Sequence, residues 1–122
     1  MTKIERFEDL QSWQKARELV RRIYELTSSS AFAKDFALRD QIRRSPGSVM
    51  HNIAEGFDSG SHPEFVRFLK MARRSASEVQ SQLYPALDLN YIASEELEVG
   101  YQLATETKKL INGMVSYLRQ QN

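Results

Sequence analysis

Apolar residues recur along this chain at steps of three and four, the period of a helix packed on one side. In the first such segment Leu10, Trp13, Ala16, Leu19, Val20, Ile23, Tyr24 and Leu26 share an arc of roughly half the helix circumference or more, with Lys15, Glu18, Arg22 and Glu25 opposite. An arc that wide predicts more than one packing partner. Asp9 stands where an N-cap belongs, and the polar run from Thr27 to Ser30 ends the segment. Residues 31–34 read as a connection and Asp35 as the cap of a second helix, in which Leu38, Ile42, Ser45, Val49 and Ile53 form a mostly apolar stripe. Beside that stripe runs a wholly polar one: Gln41, Arg44, Ser48, Asn52 and Glu55. Amides and opposed charges in that order suit the border of a neighbouring helix or subunit better than a solvated face.

Pro46-Gly47 falls inside the second helix, where proline lacks an N–H and glycine loses the most backbone entropy. A kink is expected there. Gly56, suited to a left-handed C-terminal position, and the loop from Asp58 to His62 stop the helix. Ser61 or His62, followed by Pro63 and Glu64, opens a third helix. Its stripe of Phe65, Phe68, Leu69, Ala72, Ala76, Val79, Leu83 and Leu87 spans an arc of about 100°. Pro85 predicts a bend in its last turn, and Asn90 tolerates the left-handed conformation that closes it. Ser94, followed by Glu95 and Glu96, is placed to cap a fourth helix. There Leu97, Ala104, Ile111 and Leu118 form one heptad row and Leu103, Leu110 and Tyr117 another.

No alternating strand pattern competes with these four segments. The expected fold is all-α, an antiparallel up-down-up-down four-helix bundle in one domain over residues 1–122. A 41% hydrophobic and 27% charged composition supports a folded domain over a disordered chain. The chain has no cysteine, which excludes disulfides, thiolate metal sites and a cysteine nucleophile. Charge interrupts the N-terminal residues where a signal peptide would be apolar, and nowhere do about 18 apolar residues run together, so a cytoplasmic protein without membrane contact is expected.

The candidate chemistry is sparse. His51 and Glu55 share a helix face, but the only other histidine, His62, sits in a Gly/Ser loop, so neither a metal nor a cofactor is expected. Ser45, Ser48 and His51 lie near one another on one helix and read as interface residues rather than a nucleophile and base. With no phosphate loop and no Gly-x-Ser-x-Gly, no catalytic residue is assigned and the chain reads as non-enzymatic. A net charge of +1 hides a polarised surface: Arg67 to Arg74 carries four bases and no acid, Asp88 to Glu106 five acids and no base. Arg67, Lys70, Arg73 and Arg74 therefore form a candidate phosphate-backbone row, which Arg39 and Arg43 extend if the second and third helices lie side by side.

Several motifs together are specific: Trp13-Gln14-x-Ala16, Gln41-Ile42-Arg43-Arg44-Ser45, Asn52-Ile53-Ala54-Glu55-Gly56, Phe65-x-x-Phe68-Leu69-x-x-Ala72, then Glu78 and Gln82-Leu83. The chain resembles the bacterial four-helix-bundle family of proteins encoded in intervening sequences of 23S ribosomal RNA. Motifs carry the likeness from Phe7 to Ile92, and pattern carries it to the end. The resemblance implies a small helical bundle assembled as a ring-like homopentamer. It extends to the accessory proteins of diversity-generating retroelements, basic pentamers that contact nucleic acid and a reverse transcriptase. Trp13, Gln41, Arg44, Asn52, Glu55 and Gly56 are then the expected structural or interface set. The leading expectation is an oligomeric nucleic-acid-binding scaffold, with a protein-interaction or structural module as the alternative. Pro46-Gly47, where the family has small helix formers, and the near-neutral charge are departures from the pattern.

Overall fold

The periodic segments fold as helices in a computed structural model that describes residues 3–121. After a 3₁₀ turn at Phe7–Asp9 come α1 (Gln11–Thr27), α2 (Ser30–Lys34), α3 (Phe36–Phe57), α4 (His62–Asp88) and α5 (Ser94–Gln120), with no strand among the described residues. The expected caps hold at two starts. Asp35 accepts from the Leu38 N–H at 3.2 Å, and Ser61 accepts from the Glu64 N–H at 3.3 Å. Asn90 closes α4 at φ 63°, as expected.

Other boundaries differ. Asp9 does not cap α1. It belongs to the preceding turn, where its carboxylate accepts from the N–H groups of Glu5 and Arg6. Ala93 rather than Ser94 is the last residue before α5, and Glu96 reaches back to its N–H at 2.8 Å. Residues 31–34 are not a connection but lie within the short helix α2, which drives Phe32 fully into the core. α3 runs without interruption through Pro46, and α4 through Pro85. Gly56 is helical, not left-handed. It is needed because a Cβ there would lie 2.7 Å from the Phe68 Cβ, so α3 and α4 touch backbone to side chain at that point.

α3 packs on α1 and α4, and α5 packs on the same two helices, whereas α3 and α5 make almost no contact. Cross-helix bonds give the register. Arg43 meets Thr27, Ser48 meets Ser75 near the middle of both helices, and Gln80 meets Thr105, which sets α3 antiparallel to α1 and α4, and α5 antiparallel to α4. The wide arc of α1 is thereby satisfied within the chain: Leu10, Trp13, Ala16, Leu19, Ile23 and Leu26 are buried, while Tyr24 is 46% exposed. Two contiguous clusters fill the interior. One is built around Trp13, Ile53, Leu69 and Ile111, the other around Leu19, Phe32, Ile42 and Leu83. Each such side chain contributes on the order of 1.5–3 kcal/mol on leaving water. Of the two heptad rows of α5, the first is buried and the second ends in an exposed Tyr117.

Gly47 has no such role, since a Cβ built there meets nothing within 4 Å. Gly47→Ala should therefore raise stability by about 1 kcal/mol through helix propensity alone. A denaturant midpoint that rises without a change in slope is the expected reading; a lower midpoint would show that the backbone at Gly47 departs from ordinary helix.

Candidate functional site

The acid-free row of α4 separates into paired and unpaired charges. Arg67 lies three residues after Glu64, and its Nε and Nη2 each donate to that carboxylate at 2.9 Å. The hydrogen bonds hold Glu64 below the usual carboxylate range and raise the Arg67 guanidinium. The guanidinium also lies 4.7 Å from the centre of the Phe68 ring, so Arg67 is held in place with its charge balanced by Glu64. Arg73 donates to Asn112 of α5 at 2.7 Å and keeps its full charge. Lys70 and Arg74 are exposed and have no hydrogen bond or ion pair among the described residues.

Arg39 and Arg43 do not extend this row, although α3 and α4 do lie side by side. Arg39 pairs with Asp40 at 2.9 Å and donates to the Ala33 carbonyl at 3.0 Å. Arg43 donates from Nε to the Thr27 hydroxyl at 2.7 Å and lies over the Tyr24 ring at 4.4 Å. Both therefore turn toward α1 and α2. The α3–α4 register places Arg43 level with Gln80, about 9 Å along the axis from Arg74. The six cations therefore form two groups, Arg39 and Arg43 turned toward α1 and α2, and Arg67, Lys70, Arg73 and Arg74 on α4.

The polar stripe of α3 is only partly joined. Asn52 donates to the Ser48 carbonyl at 2.9 Å and to its hydroxyl at 3.1 Å, and Ser48 meets Ser75 of α4 at 3.0 Å. Gln41, Arg44 and Glu55 are exposed and make no side-chain hydrogen bond or ion pair among the described residues. A closed network of Arg44, Asn52 and Glu55 does not form within one chain. The same register sets Arg44 level with Glu78, and Gln41 level with Gln82, whose Oε1 is buried without a partner. Trp13 and Gly56 are core residues: Trp13 packs against Phe7 with centroids 5.3 Å apart, and Gly56 sits beneath Phe65 and Phe68.

Ser45, Ser48 and His51 do not converge. Ser45 faces the Gln41 carbonyl, Ser48 is held by Ser75 and Asn52, and His51 is exposed. No group of three or more His, Asp or Glu side chains is placed to hold a cation among the described residues. No described helix is long and apolar enough to cross a membrane. A polar latch between α4 and α5 escaped the sequence reading. Buried Gln80 donates to Thr105 Oγ1 at 2.9 Å and to the Tyr101 carbonyl at 3.3 Å, and it accepts from Lys108 at 2.9 Å. Its position beside the apolar stripe of α4 was visible, but its partners on a distant helix were not.

The chain matches, over residues 8–113, the family described as 23S rRNA-intervening sequence protein. No curated protein matches it significantly. Among solved structures it is similar to a protein of unknown function from the S23 ribosomal protein family of Bacteroides thetaiotaomicron. The two share 27% identity and a TM-score of 0.79, over 86% of this chain and 95% of that one.

Proposed function

The chain belongs to the 23S rRNA-intervening sequence protein family, and from that premise we propose that it is a non-catalytic, self-associating helical scaffold that binds nucleic acid. In this reading the four long helices form an up-down-up-down bundle, and copies assemble into a closed ring, five being the number that the sequence resemblance implies. Gln41, Arg44 and Glu55 support self-association: they are signature polar residues left exposed and without side-chain partners among the described residues. The protein acts where nucleic acid is found, in the cytoplasm.

The observation that carries nucleic-acid binding is the pair Lys70 and Arg74, two exposed cations without acidic partners one helical turn apart. With Arg73 they offer three charges to a phosphate backbone, and repetition around a ring multiplies that number. Binding of this kind releases counterions, so affinity should fall linearly in log–log form as salt rises. Fluorescence anisotropy with a labelled single-stranded RNA should show binding at low salt. Lys70→Glu/Arg74→Glu should weaken it by about tenfold or more, whereas the double change Glu64→Gln/Arg67→Gln should change it little, because that pair carries no net charge. Absence of binding at low salt, or binding indifferent to salt, contradicts the reading and leaves a protein-interaction module in its place.

A further inference from the structure

Packing does not explain the glycine in the middle of α3. Glycine is the least favourable helix residue after proline, yet a Cβ built on Gly47 meets nothing within 4 Å. No neighbour needs that space. What opens over it is a groove of about 680 Å³ between α1 and α3, whose lining includes Tyr24, Asp40, Arg43, Arg44, Gly47 and His51. Its volume is in the range of small-molecule sites. Neither Lys70 nor Arg74 of α4 lines it.

The charge in this groove is positive and oriented. Arg43 donates from Nε to the Thr27 hydroxyl at 2.7 Å and lies over the Tyr24 ring at 4.4 Å, so its guanidinium is held from two directions. Thr27 is wholly buried and donates its own hydroxyl proton to the Ile23 carbonyl at 2.8 Å, which leaves its oxygen free to accept from Arg43. Neither Nη nitrogen makes a hydrogen bond or ion pair among the described residues. A pre-oriented guanidinium with its outer N–H groups free matches a phosphate bidentately. Asp40 is the acid in this lining, and Arg39 already pairs with it at 2.9 Å. Arg44 on the rim adds a second cation.

His51 stands two turns beyond Arg43, about 12 Å along the axis, with Gly47 halfway. Its ring is exposed, as stacking on a base requires. Between the two, the missing side chain of Gly47 leaves bare backbone that a ligand can approach closely. We propose that this groove binds a free nucleotide, with the phosphate on Arg43, the sugar over Gly47 and the base against His51. A phosphate alone would use Arg43 and give no purpose to His51 or the cleared floor. A continuous strand fits less well than a single nucleotide, because beyond His51 the same face of α3 presents Glu55 and Asp58. The site is separate from the α4 row and does not depend on it.

Isothermal titration calorimetry of the full chain at low salt, with AMP, ribose 5-phosphate and adenosine, tests this. AMP should bind about tenfold or more tightly than either fragment, since each fragment lacks one end of the ligand. Gly47→Leu should weaken AMP by a similar factor of about ten while the denaturant midpoint does not fall, because the new side chain enters the groove and meets nothing else. Should the midpoint fall, Gly47→Ala gives the same reading with a smaller factor. His51→Ala should bring AMP down to the affinity of ribose 5-phosphate. AMP that binds no more tightly than ribose 5-phosphate, or that is untouched by both Gly47 variants, overturns the proposal. So does labelled RNA that loses affinity through Gly47→Leu while AMP does not bind, since the groove is then part of a strand's path. AMP binding with no RNA binding supports this site and overturns the nucleic-acid reading of α4 alone.

Discussion

Phe32→Ala should destabilise the protein by about 3–5 kcal/mol, the range for truncating a fully buried aromatic ring. The ring is wholly inaccessible to water and stacks on Tyr91 with centroids 5.1 Å apart. Tyr91 in turn donates its hydroxyl to Asp35 at 2.9 Å, and Asp35 caps α3. Removing Phe32 therefore opens a cavity and loosens the clasp between the α2 linker and the loop before α5. For a domain of this length the melting temperature should fall by roughly 10–20 °C. A loss under about 1 kcal/mol would mean that the site collapses without cost and that α2 is not part of the cooperative core.

Gly56→Val should cost about 2–3 kcal/mol, against a helix-propensity gain of under about 1 kcal/mol. Its Cβ would meet Phe68 Cβ at 2.7 Å, Phe65 Cδ1 at 2.9 Å and the Phe65 carbonyl at 3.3 Å. A Cβ and a carbonyl are fixed to the backbone, so α3 and α4 must separate. The contrast with Gly47→Ala is the sharper reading, because two glycines on one helix should respond with opposite sign. Chemical denaturation of both variants checks this, and stabilisation by Gly56→Val would show that the two helices pack less closely there.

What the sequence made legible was whatever a single helix decides by itself. The periods of α1, α3, α4 and α5 were readable, as were the caps Asp35 and Ser61 and the left-handed Asn90, because each depends on residues within a turn or two. α2 was not, since five residues are too few to display a period and its one anchor, Phe32, acts through distant Tyr91. Asp9 was assigned to the wrong side because an acidic residue between two helical segments can cap backward as well as forward. Gly56 was read as a conformational need, whereas its need is for closeness to a neighbouring helix. For the candidate site, the Glu64–Arg67 pair was foreseeable from its spacing of three, and would have reduced the basic row. That Arg73 reaches Asn112, and that Arg43 turns to Thr27, depend on which faces meet. Local pattern does not carry that information.

The central claim is that this chain self-associates, because Gln41, Arg44 and Glu55 of its signature find no side-chain partners among the described residues. Sedimentation equilibrium of the wild-type protein across a range of concentrations tests it most directly. A mass several times that of one chain, five times for the ring proposed above, is the expected result. A single-chain mass at every concentration would contradict the account.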